Sequence, residues 1–326
     1  MEPEKMRIIY MGTPEFAVRP LEELLESGHR VVAVVTAPDR PAGRGKKVRF
    51  TAVKEFVMKH HPQIPLLQPS NLKDPGFLLQ LEALQPDLQV VVAFRMLPEG
   101  VWRIPALGTF NLHASLLPQY RGAAPINHVI MNGERETGVT TFLIDQKIDT
   151  GNILLQERVS IGERETAGEL HDRLMEEGAK LVLRTVRGLS DGSVLARSQE
   201  HFMNPGEELK KAPKIFKEDC RIGWDRQGQE VVNFVRGLSP YPGAFTILEQ
   251  EGKQGQLCKV FEATFLPDSH GDEPGLLHSD GKKYLKASVV DGYLQIGSIQ
   301  LEGKRRMGIR EFLAGNALTS GRSRFS

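Results

Sequence analysis

Residues 111–122 read Asn-Leu-His-Ala-Ser-Leu-Leu-Pro-Gln-Tyr-Arg-Gly, and Ile-Asp-Thr-Gly follows at 148–151. Asn111, His113 and Asp149 are residue types that can act together on a carbonyl. If 109–113 is a strand, side chains two apart share a face, so Asn111 and His113 point together while Leu112 points into the core. An amide donor beside an imidazole suits an oxygen that gains charge. A carboxylate behind the imidazole would fix its tautomer. Spacing alone also allows a blander arrangement, a strand ending in a polar turn around a satisfied histidine.

A second chemical feature is the stretch 39–49. It carries five cations, Arg40, Arg44, Lys46, Lys47 and Arg49, against the single anion Asp39. Gly43 and Gly45 permit unusual backbone angles there, and Pro38 and Pro41 limit regular structure. Such a loop is too basic for a core. Its charge fits a solvated connection and a reach toward an RNA end equally well. Over the whole chain 42 Lys and Arg meet 41 Asp and Glu, a net charge of +1, which gives no general pull on nucleic acid. The distribution is uneven. Residues 210–326 hold 18 cations against 14 anions, a net of +4, and the preceding 209 residues hold 24 against 27, a net of −3. Mildly basic C-terminal material can follow phosphates or simply face water.

These residues need a scaffold. A chain of 326 residues with 40% hydrophobic content suits two domains, each with its own core. Arg7–Met11 reads as a short apolar strand, with Thr13 as the cap, Pro14 in the first position and Glu15 at the positive end of a following helix. That helix has Phe16, Leu21, Leu24 and Leu25 as its apolar positions and stops at Gly28. The Val runs at 31–35 and 89–93 fit strands buried on both faces of a mainly parallel sheet. The pattern is α/β and doubly wound, Rossmann-like, with ligands expected beyond the carboxyl ends of the strands. Gly12-Thr13-Pro14 lacks the remaining glycines of a dinucleotide site and reads as a tight turn; no Walker motif is present.

Polar residues with Gly188, Gly192 and Gly206 mark an interdomain linker. The expected division is therefore 1–188, a linker at 189–209, and 210–326. In the last part, β-rich runs at 243–248, 257–265, 284–288 and 293–300 are spaced by turn residues, as in a small barrel. The basic run Lys304–Arg306 leads into a short docking helix around 311–313. Trp224 reads as a packing anchor, His60 and His61 as surface residues, and His128 as a helical residue without an assigned role. Cys220 and Cys258 have no paired spacing, so neither a disulfide framework nor a zinc site is indicated, and nothing calls for a metal. The start Met-Glu-Pro-Glu-Lys-Met-Arg has no apolar signal core, and no run approaches a membrane span. The expectation is a cytoplasmic protein without a membrane partner.

The string 111–122, continued by Ala-Ala-Pro-Ile and followed by Ile148–Gly151, resembles the folate-dependent formyltransferases. Met11–Ala17 and the basic stretch 37–47 narrow the resemblance to the methionyl-tRNA formyltransferase family. Similarity extends over nearly the whole chain, including 212–215 and 239–245. As a set these motifs are specific, although each alone is weak. The resemblance implies a formyltransferase catalytic domain followed by an OB-like, tRNA-binding barrel. It implies direct transfer of a formyl group from 10-formyltetrahydrofolate to the α-amino group of initiator methionyl-tRNA, by a monomer, for translation initiation. Asn111 and protonated His113 would stabilise the oxyanion, with Asp149 supporting the charged ring and helping a proton from the amine to N10. No acyl-enzyme is needed, because Ser115 lacks a base partner.

The same resemblance implies that Ser115, Leu116, Leu117 and Pro118 contact the folate, and that Phe94, Arg95, Met96 and Leu97 line its pterin end. The basic loop, Arg40, Arg44, Lys46, Lys47 and Arg49, would approach the tRNA acceptor stem, with Arg44 as its reader. Two positions depart from the commoner family wording. Phe94-Arg95 stands where a Tyr-Gly pair is usual, and Gly223 where Asp is usual. Alternatives within the same chemistry are a sugar-nucleotide amine formyltransferase, disfavoured by the basic loop, and a glycinamide ribonucleotide formyltransferase, which does not need the extra domain. A catalytically silent RNA-binding module is disfavoured by the intact Asn/His/Asp set.

Overall fold

The computed structural model describes residues 6–42, 47–204, 206–316, 318 and 321–326. The chain runs β1 (Arg7–Gly12), α1 (Val18–Glu26), β2 (Arg30–Val35), β3 (Arg40–Ala42), β4 (Lys47–Arg49), α2 (Ala52–His60), β5 (Leu66–Leu67), α3 (Pro75–Ala83) and β6 (Leu88–Val92). It continues through α4 (Glu99–Trp102), β7 (Thr109–His113), β8 (Arg121–Gly122), α5 (Pro125–Met131), β9 (Glu136–Leu143), β10 (Ile153–Ser160) and α6 (Ala167–Ser190). Two compact units result. One holds 1–122, 137–160 and 171–211; the other holds 123–136, 161–170 and 212–326.

The first unit is built on a seven-stranded sheet in the order β10-β9-β7-β6-β1-β2-β5. β1 pairs in parallel with β2 and β6, and β6 with β7, while β9 runs antiparallel to β7. All five residues of β6 are buried, as continuous apolar runs require in a sheet covered on both faces. On one face Ile9, Met11 and Val91 pack with Phe77, Leu81, Leu97 and Val101. On the other, α6 comes so close to β7 that a Cβ on Gly178 would lie 2.7 Å from Leu112. The strand order turns back at β1, and the carboxyl ends of β6 and β7 lie beside that point, where open α/β sheets gather ligands.

The turn after β1 is tighter than its sequence suggests. Glu15–Ala17 form a 3-10 turn without a side-chain cap, and α1 begins only at Val18. The Ala17 N–H bonds to the Pro14 carbonyl at 3.0 Å, so the turn closes on its own backbone where Thr13 was expected to cap it, and the buried Tyr10 hydroxyl donates to the Ala17 carbonyl at 2.6 Å. A Cβ on Gly12 would stand 2.6 Å from that of Ala17. The stretch after α6 also differs from a free linker. Arg197 bridges to Ile153, a 3-10 turn spans Gln199–Phe202, and Gln199 is buried.

β3 and β4 form a two-stranded antiparallel ribbon with Arg40 opposite Arg49, and both of these arginines are exposed. Arg44 and Lys46, between the strands, lie outside the described residues; for Lys47 only the backbone pairing with Ala42 is described.

The second unit carries α7 (Gly228–Gly237), β12 (Ala244–Gln250), β13 (Gln256–Pro267), β14 (Leu277–Ser279), β15 (Leu285–Val289), β16 (Gly292–Leu301), β17 (Met307–Gly308), α8 (Ile309–Gly315) and β18 (Ser323–Phe325), preceded by the short β11 (Lys211–Ala212). Its sheet follows the path β14-β15-β16-β13-β12-β18. Irregular register between β13 and β16 near Val260–Ala263 bends the sheet, as bulges do. A bridge between Leu276 and Arg324 joins the two ends of the path. The result is a nearly closed, OB-like barrel. Trp224 is an anchor inside it, stacked on Phe325 at 5.2 Å and donating to Thr246 Oγ1 at 3.0 Å.

Candidate active site

β7 places Asn111 between Val91 of β6 and Phe142 of β9, and His113 opposite Thr140. The alternation of the strand puts both polar side chains on one face. Asn111 is half-buried and His113 is buried. His113 Nε2 lies 2.9 Å from the carbonyl oxygen of Tyr120. A carbonyl only accepts, so Nε2 carries a proton and donates. This corrects one expectation: the Tyr120 carbonyl, not Asp149, fixes the tautomer. Nδ1 then faces Asp149, whose Oδ2 stands 4.0 Å away. That separation is within ion-pair range and beyond a hydrogen bond.

Asp149 sits in the turn between β9 and β10 with a positive φ of 56°. Asp tolerates this left-handed region better than most side chains, at a cost of about 1–2 kcal/mol. Its Oδ2 accepts from the Gly122 N–H at 3.0 Å, and its carbonyl accepts from Gln199 Nε2 at 2.9 Å. Gly151 permits the turn, since a Cβ there would stand 1.6 Å from the Leu143 carbonyl oxygen. The tripeptide Tyr120-Arg121-Gly122 therefore touches His113 with its first carbonyl and Asp149 with its last amide. Between them, Arg121 donates to Gln199 Oε1 through Nε and Nη2 at 3.1 and 2.6 Å. Beside the Asp149 turn, Trp102, Arg121, Lys147, Thr150, Gln199 and Met203 line a cleft of about 570 Å³.

Hydrogen bonds tie down the loop 115–118. Ser115 Oγ donates to the Gln119 carbonyl at 2.7 Å, and Thr140 Oγ1 donates to the Ser115 carbonyl at 2.7 Å. Gln156 donates to the Leu117 carbonyl at 2.8 Å. Ser115, Leu117 and Pro118 are buried, and Leu117 packs with Phe142 and Ile153. Of the four, only Leu116 keeps a half-open side chain. After β6, Phe94 is half-buried, Leu97 belongs to the core, and Met96 is 75% exposed. Arg95 turns away onto backbone, donating to the carbonyls of Pro69 and Ser70. Burial first, and the neighbouring charge of Arg40 second, hold its guanidinium below the usual arginine value.

Sequence reasoning missed Gln199, Thr140 and Gln156. Thr140 and Gln156 stand on strands opposite the loop, and Gln199 lies in polar sequence with no motif around it. Their roles come from contacts 16 to 78 residues apart, which no local spacing encodes. His128 lies in the second unit, where its Nε2 donates to the Pro213 carbonyl at 3.0 Å. Among the described residues no cluster of three or more His, Cys, Asp or Glu could hold a metal ion, and no helix is long and apolar enough to cross a membrane.

Residues 5–186 match the formyl transferase family, and residues 214–317 match the formyl transferase C-terminal domain. A methionyl-tRNA formyltransferase from Bacteroides fragilis is 49% identical over 319 residues, covering 98% of each chain. Another from Flavobacterium johnsoniae is 50% identical over 312 residues, covering 96% of each. This chain belongs to the methionyl-tRNA formyltransferase family. Solved structures extend the fold of this family more widely. HypX from Aquifex aeolicus in complex with tetrahydrofolic acid superposes with a TM-score of 0.61 at 19% identity, over 95% of this chain and 47% of that one. The sugar 3N-formyl transferase WlaRD superposes with a TM-score of 0.63 at 18% identity, over 93% and 100%. At these identities the likeness is one of fold.

Proposed function

We infer that this chain transfers the formyl group of 10-formyltetrahydrofolate to the α-amino group of initiator methionyl-tRNA. The observation that carries the reading is 49% identity to a methionyl-tRNA formyltransferase over 98% of both chains. Asn111, His113 and Asp149 at the carboxyl end of the sheet supply chemistry that agrees with it.

A folate fits the residues present. Phe94, Met96 and Leu116 keep accessible apolar surface that would suit a flat ring, and Asn111 keeps a half-buried amide. Ser115, Leu117 and Pro118 would act through the loop's shape, because their side chains are turned inward. When bound, the folate supplies the formyl group on N10. Asn111 donates to the formyl oxygen as it gains charge. His113 is anchored to Tyr120 through Nε2, so Nδ1, which donates only when the ring is protonated, is aimed into the 4.0 Å space before Asp149. The acceptor amine, with an ordinary pKa of about 7.7–8.0, has a neutral fraction at pH 7. Asp149 balances the charge of a protonated His113 and takes up the amine proton on its way to N10, directly or through water. Each oxyanion donor of this kind is worth about 2.7–4 kcal/mol of barrier.

Arg40 and Arg49 on the exposed ribbon, together with Arg44, Lys46 and Lys47, would approach the acceptor stem. Charge of this kind binds phosphates and exposed base edges. The reading includes a cytoplasmic monomer. Its test is formyl incorporation into methionyl-tRNA, compared side by side with an amino sugar nucleotide and with glycinamide ribonucleotide. Incorporation into either small acceptor, without methionyl-tRNA, would overturn it.

A further inference from the structure

We propose that Gln199 is a positioning residue for the transfer reaction, setting the Asp149 carboxylate through the turn it clamps; this rests on the assignment of Asp149 to the reaction. Gln199 is 4% exposed, and all of its polar capacity is used. Nε2 donates to the carbonyls of Asp149 and Gly151, both at 2.9 Å, on either side of Thr150. Oε1 accepts from Arg121 at 3.1 and 2.6 Å.

The contacts close a ring. From the Asp149 carboxylate it passes to the Gly122 amide, back one residue to the Arg121 guanidinium, across the Gln199 amide, and into the Asp149 carbonyl. An uncharged amide suits this place because it offers two donors and an acceptor at once. Asp149 holds a positive φ of 56°, so its side-chain direction depends on partners that hold the turn from outside. Gly122 fixes one carboxylate oxygen, and Gln199 fixes the backbone from which the carboxylate departs. Misplacement of a reacting group by about 1 Å can cost roughly a hundredfold in rate.

Two variants separate this role from simple packing. Gln199→Glu keeps an acceptor for Arg121 but loses both donors to the turn. Gln199→Met keeps volume and loses every hydrogen bond. The measurements are single-turnover and steady-state formyl transfer to methionyl-tRNA by the full chain, with circular dichroism to establish folding. Both variants should lose about 10- to 100-fold in kcat, with the KM for methionyl-tRNA unchanged. In an Asp149→Ala background, Gln199→Glu should cost nothing further, because neighbours acting through one group are not additive. A folded Gln199→Glu protein with wild-type kcat would overturn the proposal if Asp149→Ala is slowed but still measurable. Equal additional loss in the Asp149→Ala background would also overturn it, by showing that Gln199 acts elsewhere. Full activity of Asp149→Ala would instead remove the assignment of Asp149, and this proposal with it.

Discussion

His113 Nδ1 and Asp149 Oδ2 face each other across 4.0 Å without a hydrogen bond, and the tripeptide 120–122 anchors both from behind. The imidazole is oriented by the Tyr120 carbonyl and the carboxylate by the Gly122 amide. Each group therefore keeps its position without relying on the other. The space between them is bordered by Nδ1, which becomes a donor when the ring is protonated, and by a carboxylate oxygen that can accept.

Asp149→Asn preserves an acceptor for the Gly122 amide and removes the negative charge. Turnover should fall by about a hundredfold or more, while affinity for methionyl-tRNA stays within about twofold. A rate near that of the unaltered protein, measured by formyl incorporation, would show that charge at this position is dispensable.

Asn111→Ala removes an amide from a half-buried strand position. The expected loss is about a hundred- to thousandfold in kcat, from one missing oxyanion donor, with an unchanged thermal midpoint. An equal loss in folate binding with kcat preserved would assign Asn111 to ground-state binding instead.

Gly151→Ala tests the turn itself. Its methyl would stand 1.6 Å from the Leu143 carbonyl oxygen, which is backbone and cannot swing aside. A destabilisation of about 2–3 kcal/mol is expected, read as a lower urea midpoint, together with loss of turnover. A midpoint equal to wild type would mean that the turn opens freely.

Arg44→Ala should weaken use of initiator methionyl-tRNA and reduce the slope of log affinity against log salt by about one. Measuring tRNA binding between low and moderate salt checks this. The same slope and affinity in both proteins would remove Arg44 from the contact.

In the second unit, burial holds the His128 ring below the usual histidine value of 6.5, against the opposing pulls of the Pro213 carbonyl and Asp219. The unfolded chain therefore takes up this proton more readily than the folded one. Stability present above that value is lost as the pH falls toward the depressed folded-state value. Urea midpoints measured from pH 7.5 down to 5.5 should fall less steeply for His128→Gln than for the wild type. Parallel curves would exclude His128 as a contributor.

Much of the scaffold was legible along the chain. The Val runs at 31–35 and 89–92 became buried central strands because a sheet covered on both faces has no place for alternation. Residues Leu257–Phe265 and Tyr293–Gln300 became the long pair β13 and β16 of the barrel. Asn111 and His113 share a face because strand geometry has a fixed period. The start of α1 was misread, since Glu15–Ala17 turn as a 3-10 segment without a side-chain cap and the helix begins only at Val18. The Arg95 guanidinium finds the carbonyls of Pro69 and Ser70. Only the folded chain brings those carbonyls within its reach.

By itself, then, the order of residues determined the strands, the shared face of Asn111 and His113, and the family of the protein, because these depend on local periodicity and on strings of neighbouring residues. Tertiary structure alone decided the tautomer of His113, the setting of Asp149 and the place of Gln199. Each of those depends on a hydrogen bond to a group distant along the chain or on a turn's exact course, and a hydrogen bond needs a partner within about 3 Å. Folding supplies that proximity; sequence spacing does not record it.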